Sequence, residues 1–176
     1  MKAVVVYESL WGNTAAIARA IAEGLGSGVE ALSTAQASGE AIEDADLIVA
    51  GAPVLGFTLP TDSMLSNLAS NPGKAPTPPD LSGPSMRAWL DSLPEGSGRS
   101  AAFETRIRWS PGGATKGIER GLQRVGYSRI ARRERFIVGG TYGPLREGEV
   151  ERAREWGAQL ARTMGRSDAQ RVDETP

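Results

Sequence analysis

The chain has 176 residues, a net charge of −1, no cysteine and no histidine. That length suits one ordinary domain able to bury a core without staples. The missing residue types exclude disulfides, thiolate metal sites, cysteine nucleophiles and the imidazole general base, so any chemistry rests on carboxylates, hydroxyls, backbone amides or a borrowed cofactor. The charge is unevenly spread. Residues 1–98 carry four Lys/Arg against eleven Asp/Glu, and residues 99–176 carry sixteen against ten.

In chain order, residues 3–7 (Ala-Val-Val-Val-Tyr) form an apolar run without polar alternation, which predicts a central parallel strand buried on both faces. Residues 14–25 predict a helix with Ile17, Ala20, Ile21 and Leu25 on one stripe, ended by Gly26, Ser27 and Gly28. A weak strand follows at 29–33 and a helical turn or two at 38–43. Residues 46–52 predict a second strong buried strand, followed by a turn-rich stretch at 53–60.

Residues 61–98 read as a Pro/Gly-rich insertion. Pro72, Pro76, Pro78, Pro79 and Pro84 forbid a long helix and leave room for short ones at 62–69 and 85–93. A strand is expected at 100–105, a helix at 114–125 and a last strand at 135–139. A final helix at 147–164 has acidic first turns and arginines at its end, in the sense its dipole favours. The polar residues 167–176 read as a loose tail. Strands alternate with helices, so the expected domain (residues 1–166) is a three-layer α/β sandwich around a five-stranded parallel sheet. No segment approaches the ~20 apolar residues of a membrane span, which suggests a cytoplasmic protein. The balanced total charge gives no reason to expect nucleic-acid binding.

In such sheets ligands sit beyond the carboxyl ends of the strands. The loop after the first strand is Ser9-Leu10-Trp11-Gly12-Asn13-Thr14, opening a helix. Unpaired amides and the positive helix end favour a phosphate there. The loop lacks the lysine of a nucleoside-triphosphate loop and the three spaced glycines of a dinucleotide fingerprint. With Tyr7 and Glu8 ahead of it, it resembles the phosphate loop of flavodoxins, in particular that of flavodiiron flavodoxin domains. Ser9, Gly12 and Thr14 match the pattern; Trp11 stands where a hydroxyl is usual.

That resemblance implies sheet order 2-1-3-4-5 and a bound flavin mononucleotide (FMN). It also gives roles to two further loops. Pro53-Val54-Leu55-Gly56-Phe57 corresponds to the loop along one face of the flavin ring, with Leu55 where an aromatic is frequent. The loop from Thr105 and Arg106 through Arg108, Trp109, Gly112 and Gly113 corresponds to the one that sets an aromatic, here Trp109, against the outer face. Arg106 and Arg108 depart from the family's acidic surroundings, and a guanidinium facing the ring would make the potential for the second electron less negative. The uninterrupted fifth strand places the resemblance with the short-chain branch.

The favoured reading is an electron-transfer flavoprotein, a monomer or weak dimer, serving a redox partner protein or a small-molecule acceptor. Two alternatives stand beside it. One is an FMN-dependent reductase of quinone type using a nicotinamide nucleotide, with Arg106, Arg108 and Lys116 on its phosphates. The other is an interaction module without flavin. A phosphoryl receiver domain is excluded, because the third strand ends Ala50-Gly51-Ala52-Pro53 with no aspartate.

Overall fold

The computed structural model describes residues 1–173. Its elements in order are β1 (Ala3–Tyr7), α1 (Asn13–Leu25), β2 (Glu30–Ser33), α2 (Gly39–Ile42), β3 (Leu47–Pro53), α3 (Asp62–Ser70), α4 (Met86–Asp91), β4 (Arg99–Ile107), α5 (Thr115–Arg124), β5 (Ser128–Arg129), β6 (Glu134–Val138) and α6 (Glu149–Asp173). Every strand pairing is parallel, in the order β2-β1-β3-β4, with β4 then pairing β5 along its first residues and β6 along its last. The expected 2-1-3-4-5 order is therefore observed, the fifth strand being two short pieces on one edge.

Alternating side chains of the buried strands serve two cores. Val5, Val49 and Phe103 pack with α1 and α6 through Ile17, Ile21, Trp156 and Leu160. Val4, Val6, Ile48 and Ala102 pack on the other face with α4 and α5 through Met86, Trp89, Leu90, Ile118 and Leu122. The segment 61–98 is thus more than an appendage. Its second half supplies the β3–β4 crossover helix, and Trp89 Nε1 donates to Ala37 O at 2.8 Å, tying α4 to the loop before α2.

Three details differ from the sequence expectation. The final helix runs through Asp173, so most of the stretch expected as a loose tail is helical; residues 174–176 lie outside the described residues. The pair β5 has no counterpart in the expectation, because Ser128 and Arg129 are both exposed and carry no hydrophobic pattern. The two short helices expected in the insertion are present as α3 and α4, α4 being shorter than expected. The β6 edge is closed by side chains: Ile137 N donates to Glu149 Oε2 at 2.9 Å, and Arg152 bonds Arg135 O. Among the described residues no helix is long and apolar enough to cross a membrane.

Candidate functional site

The carboxyl ends of β1, β3, β4 and β6 converge on a pocket of about 180 Å³. Of the expected residues it is lined by Ser9, Leu10, Trp11, Asn13, Thr14, Pro53, Val54, Leu55, Gly56, Phe57, Thr105 and Arg106. Ile107, Ser110, Val138 and Thr141 complete the wall. The last two come from the end of β6 and its following loop, which the same carboxyl-edge rule reaches once the fifth strand is placed. Four expected residues are not on this wall: Gly12, Trp109, Gly112 and Gly113.

The first loop folds back over the start of α1. Ser9 Oγ accepts from Gly12 N at 3.1 Å and Ala15 N at 3.2 Å. Gly12 has φ +88°, and a β-carbon there would meet no protein atom within 4 Å. Helix geometry leaves the first-turn amides without an intrahelical acceptor. The amides of Asn13 and Thr14, in that first turn, and of Leu10 and Trp11, in the loop before it, donate to no protein oxygen among the described residues. Thr14 and Thr105 share a buried hydroxyl–hydroxyl bond of 2.7 Å. Two hydroxyls bring two protons and one bond consumes one, so the pair retains a donor at the pocket wall.

The departure at Trp11 has a structural use. Its Nε1 donates to Thr77 O at 3.2 Å, and its ring meets Tyr142 edge-on at 4.8 Å between centroids. With Asp80 N donating to Leu10 O at 2.8 Å, the insertion is strapped onto the outside of the first loop.

The second and third loops are tied to each other. Gly113 N donates to Phe57 O at 3.0 Å, and Val54 N to Thr105 O at 2.9 Å. Gly112 has φ +72°, and a β-carbon there would sit 1.9 Å from Phe57 O, so no side chain fits. Gly112 and Gly113 therefore act behind the pocket, holding the two loops together. Glu104, fully buried, accepts from Ala114 N at 2.7 Å and Thr115 N at 3.0 Å, capping α5. Arg106 Nη1 bonds Glu104 Oε1 and Gly112 O, both at 3.0 Å. Glu104 was legible as the lone carboxylate in an apolar strand, yet the sequence reading gave it no role.

The arginines do not both face the pocket. Arg106 lines it, is paired with Glu104, and keeps a buried Nε–H with no acceptor among the described residues. Arg108 instead lies over the Trp109 ring, 5.1 Å from its centroid. Trp109 is 81% exposed and Phe57 60% exposed. At about 180 Å³ the pocket is below the several hundred usual for an engulfed ligand. A ligand here keeps part of its surface outward; Phe57 is exposed apolar surface on the wall itself, and Trp109 is exposed beside Ser110 of the wall.

One titratable group beside the first loop is perturbed. Glu8 is 7% exposed, and its Oε2 accepts from Met86 N at 3.0 Å. Loss of hydration pushes its pKa up to about 7; the Met86 bond lowers it, Asp62 raises it and Arg87 lowers it by lesser amounts.

These features fit FMN: unspent amides at a helix start for a phosphate, spare hydroxyl and guanidinium donors, and a partly open apolar slot. Residues 4–64 match the family model described as "Flavodoxin domain", a stretch that includes the first two loops and ends before the third. No curated protein sequence matches the chain. Among solved structures, a flavodoxin from the domain Archaea is 21% identical, with 94% of this chain and 99% of that one covered at a TM-score of 0.64. Flavodoxin 1 from Bacillus cereus is 18% identical, with 92% and 98% covered and a TM-score of 0.62. A flavodiiron core from Synechocystis is 22% identical over 95% of this chain and 36% of its own, with a TM-score of 0.60.

Proposed function

We propose that this chain, whose fold is flavodoxin-like, holds FMN and works as an electron carrier. The observation that carries the reading is the set of unspent amides of Leu10 and Trp11 in the loop and of Asn13 and Thr14 in the first turn of α1, beside the pocket at the switch point of the sheet. When bound, the flavin supplies reversible one- and two-electron chemistry.

The chain's own residues bind and shield it. The amides of residues 10–14 and the Thr14–Thr105 hydroxyl pair hold the phosphate and the polar chain next to it. No basic side chain stands in this loop, so phosphate charge is met by oriented amides and the α1 dipole. Pro53, Val54, Leu55, Gly56 and Phe57 give one side of the slot, Thr105, Arg106 and Ile107 the other, and Val138 closes it. The cross-tie between Phe57 O and Gly113 N fixes the spacing of the two sides, so the slot is set before the ligand arrives. Phe57 on the wall and Trp109 beside it are exposed, where a partner would approach.

The visible spectrum of the purified protein tests the reading. Oxidised-flavin bands, with FMN released on denaturation, are expected. A colourless protein that takes up no FMN on titration overturns it and favours the interaction-module alternative. A flavoprotein bleached rapidly by a nicotinamide nucleotide would be the reductase instead.

A further inference from the structure

Arg106 of the third loop is tied through Glu104 to a larger basic structure. Arg129, Arg132, Arg133 and Arg135, with Glu134, line an open groove of about 630 Å³ along the β5–β6 edge. Its countercharges lie underneath. Glu119 is the partner of Arg129 at 3.6 Å and Arg133 at 3.0 Å, and its side chain is 10% exposed. Glu104, with no exposure, is the partner of Arg135 at 3.6 Å as well as Arg106 at 3.0 Å. Arg129 and Arg135 are 48% and 57% exposed. Glu134 is taken by Arg152 at 2.6 Å. Solvent therefore meets guanidinium groups while the carboxylates that neutralise part of their charge are buried. This happens in a chain of net charge −1, whose first 98 residues are strongly acidic.

We propose that this groove is a docking surface for an acidic protein, and that it sets such a partner beside the pocket. Three observations point there. The groove has no aromatic or apolar wall on which a base or nicotinamide would stack, and it is lined by guanidinium forks that suit carboxylates spread over a macromolecular surface. The backbone edge beneath it is already occupied by Glu149 and Arg152, so recognition there is by side-chain charge and not by strand addition. The groove is also tied to the pocket: Arg106 on the pocket wall and Arg135 in the groove share one carboxylate, Glu104 Oε1. Arg135 lies three residues before Val138 of the pocket wall, about 10 Å along the strand. That the acidic protein is a redox partner rests on the electron-carrier reading; the docking itself does not.

The test measures binding with both proteins oxidised, by calorimetry, so that no electron need pass. The probes are a plant-type [2Fe–2S] ferredoxin as acidic carrier and cytochrome c as basic carrier. The ferredoxin is expected to bind at low salt, to weaken steeply as salt is added, and to bind more tightly than cytochrome c. Arg132→Glu alone, and Arg132→Glu with Arg135→Gln, should weaken it about threefold and about tenfold. Arg162→Glu on the exposed face of α6, the same charge change elsewhere, should leave it within about twofold. Circular dichroism checks that each variant folds, and Arg132→Glu removes no buried partner. Absence of ferredoxin binding at low salt, equal loss in Arg162→Glu, or preference for cytochrome c overturns the proposal. The absorption spectrum of the same sample reports flavin separately, so docking without flavin would sink only the carrier reading.

Discussion

Replacing Glu8 by glutamine should stabilise the protein, and the gain should appear only as the pH rises. The carboxyl is nearly dry, and its pKa is about 7 against an ordinary 4.5. A folded-state pKa above the unfolded one means the unfolded chain ionises first. The group's contribution to stability is therefore present below 4.5 and is lost as pH rises through about 7. A shift of about 2.5 units corresponds to roughly 3 kcal/mol between the two limits.

Glutamine never ionises, and its carbonyl can still accept from Met86 N. Its NH₂ adds a donor that costs a fixed amount at all pH values. The informative quantity is the change with pH in the stability difference between wild type and Glu8→Gln, from urea unfolding at about pH 4.5 and about pH 8.5. The expected swing is 2–3 kcal/mol in favour of the variant at the higher pH, by the same roughly 3 kcal/mol estimate. A difference that stays flat across this range, or moves the other way, refutes the assignment of a dry, strained carboxylate at position 8.

The remaining expectations concern the loops. If FMN phosphate sits in the first loop, one residue along from Glu8, FMN affinity should fall about fivefold as Glu8 ionises, from two charges ~8 Å apart in a partly wet site. Fluorescence titration should show this decline reduced in Glu8→Gln. Gly12→Val should lose FMN affinity by about tenfold or more while circular dichroism stays native, because the side chain enters the open space over the loop at φ +88°; equal affinity would place the phosphate elsewhere. Gly112→Ala should lower the thermal midpoint by the equivalent of at least ~2 kcal/mol, since its β-carbon meets Phe57 O at 1.9 Å. An unchanged midpoint would mean the Phe57–Gly113 tie is not structural.

The strands and long helices were readable because their signals are local. A buried parallel strand such as residues 47–53 is a continuous apolar run, and α1, α5 and α6 carry apolar stripes. The first loop stood out in sequence because two hydroxyls and a glycine fall together at a strand–helix junction. The insertion was not readable in the same way. Helix α3 buries nothing, and α4 is six residues long, too short to display a period, although Met86, Trp89 and Leu90 are core residues. Glu8 gave no sign of burial, because what covers it is the start of α4, 78 residues away in sequence. Trp11 stands where a hydroxyl is usual; its bond to Thr77 ties it to the insertion and its ring contact with Tyr142 to the loop after β6, which only tertiary structure could assign.

The arginines show why residue counts near a site mislead about its field. In sequence, Arg106 and Arg108 are two positive charges in a loop expected beside a flavin. In the structure Arg108 is spent on the Trp109 face, and Arg106 shares Glu104 with Arg135. Two guanidinium groups around one buried carboxylate leave a net of one positive charge, shared between the pocket wall and the sheet edge. The pair cannot be treated as neutral either, because Glu104 also serves the α5 amides, and its charge is drawn toward Ala114 and Thr115. The unpaired share of positive charge lies farther out, on Arg129, Arg132 and Arg135 at the sheet edge. An edge charge about 10 Å or more from the ring acts through water and is screened by salt, so it bears weakly on the potential of a bound flavin. The same charge acts on an approaching protein before contact, where long-range steering is effective. The geometry thus divides the positive charge in two: Arg106 is held with Glu104 at the pocket wall, and the arginines at the sheet edge are those that an acidic partner, as proposed, would meet.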